Sequence, residues 1–228
     1  MPWIFINVLC FIDRTLTESL KRSIICGHLS KLSKTKRSFY NYLLIDANKF
    51  SSMMMRCSGL SLGENETNFH DFKLFKSCIF YIGKGTNGRR DAHLKCAKKV
   101  HLGQLSIKEV NGQIVAICKC WENNGGVMNI QIEAEATTYE AHCREAAIIS
   151  ALGLINLKNK ISGAKYGDMK LWSDVKLNNY GEMTLFIAFK NFILKRPPVI
   201  KANDVYLCTV ASRCKKSITC DNCGHVNK

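Results

Sequence analysis

Apolar and polar positions alternate most cleanly over Phe39–Asp46 (FYNYLLID). Tyr40, Tyr42 and Leu44 fall on one face and Asn41, Leu43 and Ile45 on the other, and this period of two predicts a strand. A second apolar run, Cys78 to Ile82, predicts a strand that stops at Gly83-Lys84-Gly85. Residues 47–76 between them mix Ser, Asn and Gly with a Met triplet and predict a long, partly helical connection. Helices are predicted from about Gly88 to Lys99 and from about Gln104 to Trp121, the second open to a break at Asn111-Gly112. After the turn Asn123-Asn124-Gly125-Gly126, Val127 to Ile132 alternates as a third strand. Thr137 with Glu140 three residues on forms a capping box, and Gly153 is a fitting C-terminal stop, so residues 138–152 read as a helix.

That last helix carries the first hint of chemistry. Its apolar stripe runs Ala141, Ile148, Leu152, and Glu145 stands in the same stripe. A carboxylate facing a core is costly unless it has a partner. A structural ion pair with a lysine or arginine of a neighbouring element would satisfy it, and so would a functional site.

Composition sets the class of partner. The chain has 228 residues, enough for one domain with extensions, and Lys and Arg outnumber Asp and Glu by 33 to 18, a net charge of +15. The excess gathers in residues 14–37 (Arg14, Lys21, Arg22, Lys31, Lys34, Lys36, Arg37) and 84–99 (Lys84, Arg89, Arg90, Lys95, Lys98, Lys99). Phosphate neutralisation releases counterions, so a polyanion is the natural partner, although a merely soluble basic surface has the same composition. Cys10, Cys26, Cys57, Cys78, Cys96, Cys118, Cys120 and Cys143 lie at irregular spacing, several in apolar runs, and read as reduced thiols of an intracellular protein. Trp3 to Ile12 is far too short an apolar stretch to span a membrane. The organisation expected is a basic extension at 1–37, a domain at 38–195 and a Cys-rich tail at 196–228. In that tail Cys208, Cys214, Cys220 and Cys223, with His225 able to replace one, could supply four zinc ligands; free thiols on a tail are the alternative.

Tyr40-Asn41-Tyr42 and Tyr81-Ile82-Gly83 resemble the two halves of the GIY-YIG nuclease signature, the second to the letter and the first in its tyrosine alone. Arg89 and His93 follow four apart, Glu145 falls on the later helix, and Asn159 lies fourteen residues beyond it. A longer pattern is similar to the animal ankyrin-repeat and LEM-domain GIY-YIG endonucleases. It runs Phe80-Tyr81-Ile82-Gly83-Lys84-Gly85, Trp121, Gly125-Gly126-Val127, Arg144-Glu145-Ala146, Leu157-Lys158-Asn159 and Trp172. Residues 1–37 offer too little chain for the ankyrin and LEM regions of those proteins.

The resemblance implies an α+β fold, a small three-stranded antiparallel sheet flanked by helices, with the site on one sheet face. It implies metal-dependent hydrolysis of DNA phosphodiesters, in branched, bridged or damaged DNA, in the nucleus or cytoplasm, with neither a membrane partner nor a small-molecule cofactor. In it Glu145 would hold Mg2+ or Mn2+, and Arg89 would stabilise charge on the phosphoryl oxygens. Tyr42 would orient or deprotonate the water, Tyr81 would share its network and His93 would orient it or shuttle a proton. Lys84, Arg90 and Asn159 would contact substrate, Asn159 alternatively from behind the site. Each has a plainer reading: strand aromatics for the tyrosines, a satisfied helix histidine for His93, core for Trp121 and Trp172. The function competing with an active nuclease is a nucleic-acid-binding module that kept the fold without catalysis.

Overall fold

The computed structural model describes residues 38–57, 64–86, 89–195 and 197–207; within these, the side chains of 53–57, 64–69, 89–90 and 133–135 lie outside the description. The Cys-rich end from Cys208 onward, with the zinc set expected there, lies outside the described residues, as does the basic extension at 1–37.

Three strands form one antiparallel sheet in the order β2-β1-β3: β1 is Phe39–Asp46, β2 is Ile79–Gly85 and β3 is Val127–Ala136. β1 is central because both of its faces can be buried. Tyr42, Leu43, Leu44 and Ile45 are all 0% exposed, and enclosing side chains of this size stabilises the fold by roughly 1.5–3 kcal/mol each. The connection between β1 and β2 is partly helical, as expected, with helices α1 (Ala47–Cys57) and α2 (Glu64–Cys78) among its described residues. β2 runs on through Gly83-Lys84-Gly85 rather than stopping there, because Tyr40, Asn41 and Tyr42 pair with those three residues in register. Helices α3 (Arg89–His101) and α4 (Gly112–Glu122) follow, then β3, α5 (Thr138–Leu152) and α6 (Asp174–Lys195). The break at Asn111 is real: it occupies the N-cap of α4, and Ile107–Glu109 make only a short 3-10 turn. α5 begins with the expected capping box between Thr137 and Glu140 and ends at Gly153.

The sheet is covered on both faces. On one, Leu43, Ile45, Ile82, Ile130 and Ile132 pack under Ile148, Ile149 and Leu152 of α5, with Phe75 of α2 and Phe189 and Phe192 of α6. On the other, Tyr42, Leu44 and Val127 pack under Leu94 and Ala97 of α3 and Ile114, Ile117 and Trp121 of α4. Residues 197–207, assigned to the tail on sequence, pack back here. Ile200 bridges to Val127, its carbonyl accepts from Trp121 Nε1 at 3.0 Å, and Ala202 is buried beside them.

The outer edge of β2 is covered at Phe80 and Ile82 without a fourth strand. Lys158 N–H donates to the Phe80 carbonyl at 2.7 Å. The Asn159 side chain takes both polar groups of Ile82, accepting from its N–H at 3.1 Å and donating to its carbonyl at 2.8 Å. Edge groups that would otherwise face solvent or another chain are thereby satisfied.

Candidate active site

Strand alternation places successive side chains of β2 on opposite faces. Tyr81 pairs with Leu44 and Gly83 with Tyr42, so both belong to the α3 face; Ile82 and Lys84 pair with Leu43 and Asn41 and belong to the α5 face. Two groups of functional side chains result.

The first is aromatic. Tyr42, Tyr81 and His93 pack mutually, with ring centroids 6.1 Å apart for Tyr42–Tyr81 and Tyr42–His93 and 5.4 Å for Tyr81–His93, and the Tyr40 ring lies tilted against Tyr42 at 6.0 Å. Tyr42 is wholly enclosed, hydroxyl included, and the Nε2 of His93 is buried too, whereas Tyr81 is partly exposed. Gly83 explains the closeness. A methyl group in its place would overlap the Tyr42 ring at Cζ and Oη, so the ring lies against the bare backbone of the Tyr-Ile-Gly segment.

The second is charged. Lys84 Nζ lies 2.6 Å from Glu145 Oε2, with side-chain exposures of 27% and 10%. Glu145 is therefore where its stripe on α5 predicts, facing the sheet, and its partner in this structure is the lysine of the second signature segment. Beneath the pair, Arg144 Nη1 donates to Asn41 Oδ1 at 3.0 Å, and Asn41 Nδ2 donates to the Ala141 carbonyl at 2.9 Å. Asn41 and Arg144 are both buried, and together they bolt the start of α5 to β1. They were not foreseen as site-forming. The signal was a lone polar residue on the otherwise apolar Asn41-Leu43-Ile45 face. His142, one turn before Glu145, was missed as well. Burial first, then the nearby Lys84 charge, hold its imidazole below the usual range, and its ring packs 5.3 Å from that of Tyr166.

A site confined to one sheet face is corrected here. Tyr42, Tyr81 and His93 occupy the α3 face while Lys84 and Glu145 occupy the α5 face, and the two groups meet only at the rim of edge strand β2, at Gly83 and Lys84. Arg89 and Arg90 open α3, four and three residues before His93, so the helix carries them to its N-terminal end; their side chains lie outside the described residues. Asn159 sits on the same rim, and its amide holds Ile82 of the signature strand through one donor and one acceptor. Trp121 is core, 6% exposed, and Trp172 packs between Tyr180 and Lys176 away from the sheet.

Among the described residues no three His, Cys, Asp or Glu gather as a metal cage. A lone carboxylate at the rim of the sheet, largely enclosed beside Lys84, nevertheless fits Mg2+, an ion that needs only one or two protein carboxylates because it keeps most of its waters and takes further oxygens from a phosphate. The cysteines described, Cys78, Cys96, Cys118, Cys120 and Cys143, are all free thiols. Among the described residues no helix is long and apolar enough to cross a membrane.

The model of the LEM-3-like GIY-YIG domain matches residues 39–206. The mouse protein named Ankyrin repeat and LEM domain-containing protein 1 is 31% identical over 171 residues, covering 75% of this chain and 30% of that protein. The human protein of the same name is 26% identical over 170 residues, covering 74% and 27%. A Caenorhabditis elegans homolog is 32% identical over 134 residues, covering 59% and 19%. The matched region thus spans less than a third of each relative's length. No solved structure matches the chain.

Proposed function

The chain belongs to the LEM-3-like GIY-YIG domain family, and from that premise we propose that it is a metal-dependent endonuclease that hydrolyses phosphodiester bonds of DNA. The observation that carries the reading is the Glu145 carboxylate on the α5 stripe, held at the rim of β2 beside Lys84, one residue from the glycine that lies against Tyr42.

A DNA backbone crossing that rim meets both groups. A divalent ion bound at Glu145 supplies Lewis acidity toward a phosphoryl oxygen. Lys84 offers a mobile positive charge to the same phosphate, and Arg89 at the start of α3 offers a planar, bidentate one. Tyr81, the partly exposed tyrosine of the pair, is assigned on this reading to orient the attacking water from the α3 side of the rim. A phenol with an ordinary pKa of roughly 10 is a poor base unless cations favour its deprotonation, so Tyr81 acts on this reading chiefly by orienting the water. Tyr42 and His93 pack against Tyr81 and fix its ring, and His93 would orient the water or take its proton. Lys84 and Arg90 draw in the backbone, and Asn159 keeps the Tyr81-Ile82-Gly83 strand in place.

The substrates proposed are branched, bridged or damaged DNA, which would make the enzyme a DNA-repair nuclease. The test is direct. The purified chain is incubated with supercoiled plasmid and with branched DNA, in Mg2+ or in chelator. Cleavage that requires Mg2+ is expected. Salt-sensitive binding without cleavage in Mg2+ or Mn2+ would instead establish the non-catalytic module.

A further inference from the structure

Lys84 is a cation in contact with the atom that, on the proposed reading, holds another cation. Its Nζ lies 2.6 Å from Glu145 Oε2, a direct charge-assisted contact on an oxygen that a divalent ion would approach to roughly 2.0–2.1 Å. A divalent ion taking that same oxygen would meet a positive centre already on it, and the two repel where the Glu145 side chain is only 10% exposed. Metal binding at this oxygen requires the lysine to move off it.

We propose that Lys84 is an electrostatic placeholder: it occupies Glu145 while the protein is free of DNA, and hands over to the scissile phosphate as metal and DNA arrive together. The inference rests on the proposed role of Glu145 as metal ligand.

Three features of the structure make the handover feasible. Lys84 is on an edge strand, and its side chain is 27% exposed, so the ammonium has an open direction in which to swing. Its four-carbon stem is flexible and its charge is not bound to one hydrogen-bonding geometry, as an arginine's fork would be. Glu145, by contrast, cannot follow. It sits on a helix pinned to β1 through Asn41 and Arg144 and to the loop after it, where Gly163 packs against Ala146 and Tyr166 N–H donates to Cys143 Sγ at 3.3 Å. The carboxylate stays and the lysine moves.

A consequence follows by linkage. If one lysine must release the carboxylate for metal and then finds its counter-charge on a phosphate, metal binding and DNA binding favour each other, by the same factor in either direction. The free protein takes up metal poorly, which keeps it inert until a substrate is present.

The measurement uses Mn2+ titrated into the DNA-free full chain, read by the loss of the free-ion electron-spin signal, for the unaltered protein, Lys84→Met, Lys84→Arg and Glu145→Gln. Methionine retains the stem without the charge. Lys84→Met is expected to bind Mn2+ at least tenfold more tightly, Lys84→Arg within about threefold of the unaltered chain, and Glu145→Gln at least tenfold more weakly. In a second arm, duplex affinity is measured with and without Ca2+. The enhancement by Ca2+ is expected to be large for the unaltered chain and to shrink in Lys84→Met. Unchanged or weaker Mn2+ binding by a folded Lys84→Met, with Glu145→Gln weakened, overturns the placeholder and leaves Glu145 as the ligand. Unchanged Mn2+ binding by Glu145→Gln overturns the metal assignment, and the placeholder with it.

Discussion

Glu145 and Gly83 show how much a single position can disclose. The glutamate stands on an apolar stripe that a helical period exposes in the sequence, and in the structure it faces the sheet and is 8% exposed. Its partner was not legible. Lys84 lies 61 residues away, and which of the many lysines reaches Glu145 depends on how α5 lies over the edge strand. Asn41 and Arg144, 103 residues apart, are joined for the same reason. The glycine, read at first as a strand terminator, has a stricter role, since the Tyr42 ring lies where its side chain would be. Gly83→Ala is therefore expected to force the ring or the strand to shift, costing about 1–3 kcal/mol of stability and loosening the Tyr42–Tyr81–His93 cluster. Chemical denaturation checks the first effect and plasmid cleavage the second. A variant as stable and as active as the parent would remove the packing argument for this glycine.

At the scale of elements, the strands and α5 were legible because their signals are local: alternation in Phe39–Asp46 and Val127–Ile132, and a capping box with a glycine stop around residues 138–152. The helix from Asp174 to Lys195 was not foreseen, although Leu177, Tyr180, Thr184, Ala188 and Phe192 recur at helical spacing. Part of the reason is Gly181 in its middle, a residue unfavourable in helix interiors. Its function is tertiary. It lets α6 approach α5 so closely that an added Cβ would overlap the Ala147 carbonyl oxygen. Gly181→Ala should gain helix propensity yet lose stability, by about 1–3 kcal/mol, because the helices must separate. A thermal melt decides it: a raised midpoint would show that propensity wins over packing. The edge of β2 teaches a similar lesson. Asn159, expected from the resemblance to contact substrate or to act from behind the site, also hydrogen-bonds both polar groups of Ile82, a support that its place in the motif did not disclose.

For the whole molecule the sequence predicted the fold class and the family, and the reason is that both are written in ordered landmarks spread over most of the chain. What it could not supply is which face each landmark occupies, since that is set by the register of β2 on β1. The net charge of +15 acts at this scale too. If about six phosphates are neutralised, DNA affinity should fall roughly 10³-fold between about 50 and 200 mM salt; a flat dependence measured by anisotropy would contradict a phosphate-dominated interface. The free thiols follow from burial. Cys78 and Cys120 are enclosed, which pushes their thiols up to about 11 and about 12, so they stay protonated and inert at neutral pH.

The central claim is that Glu145 serves catalysis and is more than the structural counter-ion of Lys84. Glutamine at 145 keeps the size and one oxygen but loses the charge that holds a divalent ion. Because Lys84 is 27% exposed, the lysine left behind can be solvated, and the stability lost should be only about 1 kcal/mol. Cleavage by Glu145→Gln, measured beside its melting curve and its duplex affinity in chelator, tests the claim most directly. The expected result is a folded protein that binds DNA at least as tightly as the parent and cuts it roughly 10³-fold more slowly. A folded Glu145→Gln protein that cuts at the parent rate would contradict it.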